Sequence, residues 1–98
     1  MADHAIVHYS GDWVFYQGAI QPAATLTVYL EDTLDLASLF SDRDLTVPLS
    51  NPITADSGGL LPFAYIGVVP YKVILKTSSG TTIDEAVEYA MRYGRGID

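Results

Sequence analysis

Two histidines, His4 and His8, stand four residues apart near the beginning of the chain and are its only ones. A continuous strand would place both on one face, because side chains alternate along a strand with a period of two. A zinc site needs at least a third ligand, and Asp3 and Asp12 are the nearest candidates. Two solvent-facing polar residues near a terminus are the simpler interpretation, so we predict no metal site.

Three aspartates, Asp42, Asp44 and Asp56, could offer carboxylate oxygens to calcium together with loop carbonyls. They are not part of a glycine-centred twelve-residue calcium loop. Aspartate in a turn commonly accepts hydrogen bonds from nearby backbone N–H groups instead. We therefore predict that these aspartates cap turns and that the protein holds no cofactor.

No arrangement of residues predicts catalysis. A nucleophile needs an adjacent base, yet no serine lies in a Gly-x-Ser-x-Gly elbow and the histidines lie near the terminus. The absence of cysteine excludes thiolate chemistry and disulfides. Asp84 and Glu85 could act as a glycosidase pair, but they fit helix-start charges better. The turn 57–59 is not followed by the lysine of a phosphate loop. We predict a non-enzymatic protein without catalytic residues.

The aromatic residues are numerous for so short a chain. Seven tyrosines and one tryptophan exceed what a small core can absorb with every hydroxyl group satisfied, so some are expected at the surface. We predict a protein contact there, with sugar stacking on the same rings as the alternative. The predicted interface residues are Tyr9, Trp13, Phe15, Tyr16 and Tyr29.

Length and composition indicate one packed domain. The 98 residues allow a single core, and 49% hydrophobic against 17% charged residues favours packing over disorder. A net charge of −7 with five dispersed basic residues argues against nucleic acid as a partner. No basic leader precedes an apolar run, and none approaches the roughly 20 residues that span a bilayer. We therefore expect neither an export signal nor a membrane partner.

The patterning is that of an all-β protein, a small antiparallel sandwich in which short strands alternate with turns. Residues 25–30 alternate cleanly, and 71–77 form the second clear strand, with Tyr71, Val73 and Leu75 on one face and Lys72, Ile74 and Lys76 on the other. Residues 78–80 offer a hairpin turn after it. Residues 4–16 predict two short strands about a turn or one bulged strand. Residues 45–47 predict a brief strand ended by Pro48.

Two segments leave alternatives open. In 34–40 a strand competes with a short helical turn. From Thr82 to Met91, a capping box and apolar residues at helical spacing favour a short C-terminal helix, whereas continuity with the preceding hairpin favours a strand over 81–87. Both alternatives stand at this point, and 93–98 are expected to form a mobile tail.

The stretch 36–62, which reads L-A-S-L-F-S-D-R-D-L-T-V-P-L-S-N-P-I-T-A-D-S-G-G-L-L-P, resembles a motif that recurs in phage tail-fibre, tailspike and head-fibre proteins. The resemblance continues to V-P-Y-K-V-I-L at 69–75 and covers about half of the chain. The sequence departs from the motif at Leu61, where an aromatic residue is usual before Pro62. The N-terminal aromatic segment lies outside it.

The resemblance implies a small β-sandwich module of the virion with no enzymatic activity. It marks a structural turn motif formed by Asp42, Pro48, Asn51, Pro52, Asp56 and Gly59. We expect a single domain over 1–98, with the aromatic strands in 1–20. The expected function is a capsid, connector or tail attachment or decoration subunit, which is assembled in the bacterial cytoplasm and anchors a fibre or spike. Its partners would be other virion proteins, and a homo-oligomer is expected, with a trimer favoured. The alternative is a carbohydrate-binding module that recognises the host surface.

Overall fold

The computed structural model describes residues 4–31 and 33–89, with the side chains of 88 and 89 left out. The described part contains ten strands and no helix. The strands, in chain order, are β1 (Ala5–Ile6), β2 (Phe15–Tyr16), β3 (Ala19–Ile20), β4 (Thr25–Leu30), β5 (Leu39–Phe40), β6 (Pro48–Leu49), β7 (Ile53–Thr54), β8 (Tyr65–Ile66), β9 (Pro70–Lys76) and β10 (Thr82–Tyr89).

The strands form two four-stranded antiparallel sheets and one hairpin. The long sheet has the order β10-β9-β4-β7, the short sheet has the order β1-β8-β5-β6, and β2 pairs with β3 alone. Residues of both sheets contribute to one apolar cluster, with Leu26 and Val73 from the long sheet and Leu39 and Ile66 from the short sheet. The predicted all-β sandwich is confirmed.

The two strands with the clearest alternation form the centre of the long sheet. β4 and β9 pair so that Leu26 lies opposite Leu75 and Val28 opposite Val73, and all four side chains are buried. The intervening residues are half-buried on the other face. The period of two therefore predicted both strands and their inward face, because one face of this sheet covers the core.

The C-terminal segment is a strand, and the helix predicted over 82–91 is wrong for the residues that the structure describes. A turn in which Thr77 N–H donates to Thr81 O at 2.8 Å returns the chain alongside β9. β10 then pairs with β9 as far as Tyr89, opposite Pro70. Ladder bonds and partial burial of Ile83 and Ala86 against the core outweigh a weak helical preference. Residues 90–98, and with them the expected tail, lie outside the described residues.

Three further segments, 4–16, 34–40 and 45–47, can be compared with the structure predicted for them. β1 and β2 lie on either side of a turn over 8–12, as one of the two N-terminal alternatives predicted. Leu36 forms an isolated antiparallel β-bridge with Tyr29, and β5 follows it. Of the two alternatives for 34–40, the helical turn is therefore wrong. The strand predicted over 45–47 is also wrong. These residues belong to a turn in which Leu45 has a φ of 59°, and β6 begins only at Pro48.

The core lies between the two sheets and under the N-terminal turn. Within the described residues, no helix is long and apolar enough to cross a membrane. The buried apolar residues are Ala5, Val7, Val14, Ala24, Leu26, Val28, Ala37, Leu39, Ile53, Ala55, Leu61, Ala64, Ile66, Tyr71, Val73 and Leu75.

Candidate functional site

Asp42 holds the turn that precedes β6. Its carboxylate accepts hydrogen bonds from the backbone N–H groups of Thr46, at 3.0 Å, and Val47, at 2.9 Å, and from the Thr46 hydroxyl group. The bond from the Thr46 side chain, followed by those from the backbone, lowers the pKa of Asp42 from its ordinary value of 3.8. The bonds to two successive N–H groups also explain why 45–47 turn rather than form a strand.

Asn51 joins three segments of the sandwich. Its side-chain NH₂ donates to Val28 O at 2.8 Å and to Ala37 O at 2.9 Å, and its Oδ1 accepts from Val28 N–H at 3.1 Å. The amide thereby satisfies backbone groups of β4 and of the segment before β5. One side chain thus links β4 of the long sheet to the segment that leads into β5 of the short sheet.

Asp56 and Gly59 form the turn after β7. Asp56 Oδ1 accepts from Gly58 N–H at 2.8 Å and from Leu60 N–H at 3.0 Å. Gly59 has a φ of +83°, and a Cβ atom there would lie 2.6 Å from Cγ1 of Ile20. This position therefore requires glycine for both its backbone conformation and its space.

The two prolines of the motif occupy strand boundaries. Pro48 begins β6 opposite Phe40, and Pro52 follows Asn51 through a cis peptide bond just before β7. The hydrogen bonds described above confirm that Asp42 and Asp56 cap turns. Asp44 is exposed. All six residues of the predicted turn motif occupy turns or strand ends, so within this chain they serve the fold.

The histidines do not share a face. β1 ends at Ile6, and the turn that follows separates the two side chains. His4 is 3% exposed, contrary to the prediction that it faces solvent, and its ring lies edge-on to Tyr65 at 5.8 Å. His8 is exposed, with its ring 4.2 Å from that of Tyr9. No group of three metal-ligating side chains occurs in 4–31 and 33–89.

Three of the five predicted interface residues meet in one groove of about 410 Å³, which we call the aromatic groove. Trp13 is 56% exposed and Phe15 is 60% exposed, and Tyr9 is half-buried. Asp12 and Asp84 also line it. The remaining lining is apolar and consists of Val14, Leu61, Leu75 and Ile83.

The aromatic groove is built where the N-terminal turn meets the turn end of the β9–β10 hairpin. Trp13 and Leu60 form an isolated antiparallel β-bridge, and Val14 N–H donates to Gly59 O at 2.8 Å. These backbone bonds fix the N-terminal segment against the turn after β7. On the other side, the register of β10 shifts between Thr82 and Asp84. This bulge sets Asp84 opposite buried Leu75, where its carboxylate accepts a hydrogen bond from the Tyr9 hydroxyl group.

The other two predicted interface residues lie elsewhere. Tyr16 is half-buried opposite Ala19 in the β2–β3 hairpin, and Tyr29 is half-buried in β4 opposite Lys72. Neither side chain lines the aromatic groove.

Phe63 and Ile20 were not among the predicted interface residues, although both are exposed and adjoin the same end of the sandwich. Phe63 is 58% exposed and packs over Gly11, where an added Cβ would lie 2.5 Å from its ring. Ile20 lies opposite Phe15 and against the turn at Gly59. We call Trp13, Phe15, Ile20 and Phe63 the aromatic surface. Gly11 and Gly59, which let Phe63 and Ile20 lie on the backbone, are the sequence signal that could have identified this end.

A second groove of about 310 Å³ is lined by residues of β5, β8 and the end of β4, together with the segments beside them. It is lined by apolar side chains that include Leu36 and Val69, both exposed, and it contains no acidic or basic side chain among its lining residues. Its lining is Leu30, Leu36, Ala37, Ser38, Phe40, Leu45, Ile66, Gly67 and Val69.

Fold and site together define a small antiparallel β-sandwich with an aromatic groove at one end and a wholly uncharged groove at another. Comparison of the chain with protein-family models and with curated proteins found no match. The function is therefore inferred from the site and from the sequence motif.

Proposed function

We propose that this protein is a non-enzymatic structural component of a bacteriophage virion, an attachment or decoration subunit that docks on the particle. The observation that carries the proposal is the aromatic surface, where three large rings stand more than half exposed at one end of a rigid sandwich. Exposed aromatic clusters of this kind are typical of protein–protein contacts.

The turn motif supports the same proposal. The carboxylates of Asp42 and Asp56 and the amide of Asn51 are bonded to the protein's own backbone. The motif that resembles fibre and spike proteins thus shapes the sandwich, and the polar groups that it supplies are used for folding. The aromatic surface outside the motif is left for the partner.

The energetics suit a contact repeated in many copies. An aromatic side chain buries about 150–250 Å² at about 25 cal/mol per Å², so covering the exposed halves of Trp13 and Phe15 stabilises a contact by roughly 2–3 kcal/mol each. Association costs offset much of this gain. Symmetric copies, a trimer being the favoured state, would raise the avidity of such a contact without enlarging it.

Quantitative mass spectrometry of particles purified from the host tests the proposal. We expect a fixed copy number per particle, and a density-gradient fraction of particles without the protein would overturn it. Trp13→Ala together with Phe15→Ala should lower the copy number by at least tenfold. Leu34→Ala is the matched control, because Leu34 is 89% exposed and lies in the β4–β5 connection, outside the aromatic surface.

Carbohydrate binding is the second candidate, and it is favoured by the combination of aromatic rings and two carboxylates in one groove. Sugars stack on exposed aromatic faces while their hydroxyl groups bond to carboxylates. A glycan array that shows selective binding, lost in Trp13→Ala, together with absence from purified particles, would favour this function over the virion role.

A further inference from the structure

We propose that the aromatic groove binds an arginine side chain presented by a segment of a partner protein. The inference rests on the proposed function, because it names the chemistry of the contact through which the protein would dock.

The first step concerns the polar groups of the groove. Asp12 and Asp84 line it with side-chain carboxylates, a group whose oxygens serve as hydrogen-bond acceptors. Asp84 accepts a hydrogen bond from the Tyr9 hydroxyl group through one oxygen, and its other oxygen accepts none from 4–31 and 33–89. A ligand that only donates matches this pair best, and guanidinium donates through five N–H groups.

The second step concerns charge balance. Three acidic side chains outside the groove have partners within the molecule: Glu85 pairs with Lys72 at 2.7 Å, and Asp42 and Asp56 cap turns. The carboxylate of Asp12 has no such hydrogen bond or ion pair within 4–31 and 33–89. Of the basic residues in the described part, none lines the groove. The groove therefore holds negative charge that a cation from outside would neutralise.

The third step concerns the apolar lining. The groove floor includes Leu61, Leu75 and Ile83, against which the aliphatic stem of an arginine packs well. The exposed ring of Trp13 offers a face on which a planar guanidinium stacks. Lysine has the charge but neither the plane nor the forked geometry, so arginine is the favoured cation.

A sugar fits these groups less well. Each sugar hydroxyl group donates and accepts, whereas the side chains of this groove supply acceptors, with the Trp13 indole N–H and the Tyr9 hydroxyl group as the exceptions. The bulge that turns Asp84 toward Leu75 adds a second charge beside an apolar floor. That arrangement favours a cation over a neutral ligand.

The test is an NMR titration of the full chain with the peptide acetyl-Gly-Leu-Arg-Leu-Gly-amide. The control peptide carries citrulline in place of arginine and so has the same shape without the charge. We expect saturable shifts at Asp12, Trp13 and Asp84 with the arginine peptide, and binding weaker by about tenfold or more with citrulline, because charge-assisted hydrogen bonds are roughly twice as strong as neutral ones.

Variants assign the binding to the groove. Asp12→Asn with Asp84→Asn keeps the size of both side chains and should weaken the arginine peptide by about tenfold, as should Trp13→Ala. Asp44→Asn, which neutralises an exposed carboxylate outside the groove, should leave binding unchanged. Equal affinity for the two peptides, or undiminished binding by the double variant with an unchanged backbone spectrum, would overturn the proposal, as would competition by a neutral glycan.

Failure of this inference is distinguishable from failure of the proposed function. If the double variant is incorporated into particles at the normal copy number while Trp13→Ala with Phe15→Ala is not, the virion role stands and the arginine contact is refuted. Absence of the unaltered protein from particles removes the proposed function, and the peptide titration then reports on the groove alone.

Discussion

Replacing Asn51 by alanine should destabilise the sandwich more than any other single polar substitution in the turn motif. The change removes two donors and one acceptor that serve Val28 and Ala37. Val28 O keeps its bond from Ala37 N–H at 2.9 Å, whereas Val28 N–H and Ala37 O lose this partner. These bonds are partly buried, so water replaces the lost partner only incompletely.

The expected size of the effect follows from the number of bonds. Each intramolecular hydrogen bond contributes about 0.5–1.5 kcal/mol net, so the three together contribute about 2–4 kcal/mol. A domain of this length has a total stability of roughly 5–15 kcal/mol. At about 4–8 °C per kcal/mol, the melting temperature should fall by roughly 8–32 °C.

Urea unfolding followed by circular dichroism measures the change. Ser50→Ala is the control, because Ser50 is exposed and adjacent, and it should alter the free energy of unfolding by less than about 0.5 kcal/mol. Asn51→Asp should destabilise at least as much as alanine at neutral pH, since a carboxylate would face the carbonyl oxygens of Val28 and Ala37. A free energy of unfolding for Asn51→Ala within about 0.5 kcal/mol of the unaltered protein would refute the reasoning.

Three further predictions concern the turns and the sheet surface. Gly59→Ala should lower the free energy of unfolding by about 2–4 kcal/mol, through backbone strain and contact with Ile20. Gly18 is the control, because it has a φ of +79° with nothing within 4 Å, and Gly18→Ala should cost only the strain of about 1–2 kcal/mol. Equal melting temperatures of the two variants would contradict this. Because the pKa of Asp42 is lowered in the folded state, its contribution to stability is present above pH 3.8 and is lost as the pH falls through the pKa of the folded state. Thr46→Val removes the side-chain hydrogen bond and should raise the pKa of Asp42 in an NMR titration. An unchanged pKa would show that this hydrogen bond is not the main cause. Glu85→Gln should change the free energy of unfolding by less than about 1 kcal/mol, since its ion pair with Lys72 is exposed, and a larger loss in chemical denaturation would show that the pair is worth more than a surface contact.

The sequence predicted those parts of the fold where one side of a strand faces the core. β4 and β9 alternate without interruption, so their apolar residues identify both the strands and the buried face. The turn motif was also predictable, because aspartate and asparagine side chains bind nearby backbone groups in any fold that places them in turns. The short strands such as β5 and β6 have two residues each, which is too little for a period to appear.

The C-terminal strand shows why local pattern fails. Thr82 and Glu85 fit a helix start, and Ile83 and Ala86 fit both a helix and a bulged strand. What decides between them is the ladder with β9, a partner supplied by the tertiary fold. The same limit applies to the aromatic groove. Sequence identified Tyr9, Trp13 and Phe15 as exposed aromatic residues, but Asp84 reaches them only because the bulge reverses its face.

β10 is an edge strand of the long sheet, and this position bears on whether copies of the protein aggregate through their sheets. An edge strand of eight residues is long enough to recruit another strand, which is the route to aggregation when protein is concentrated on a surface. Here the bulge at Ile83 distorts the first part of the ladder, and the acidic side chains of Asp84 and Glu85 repel a like-charged neighbour. Two copies that met at this edge would therefore resist fusing into a continuous sheet.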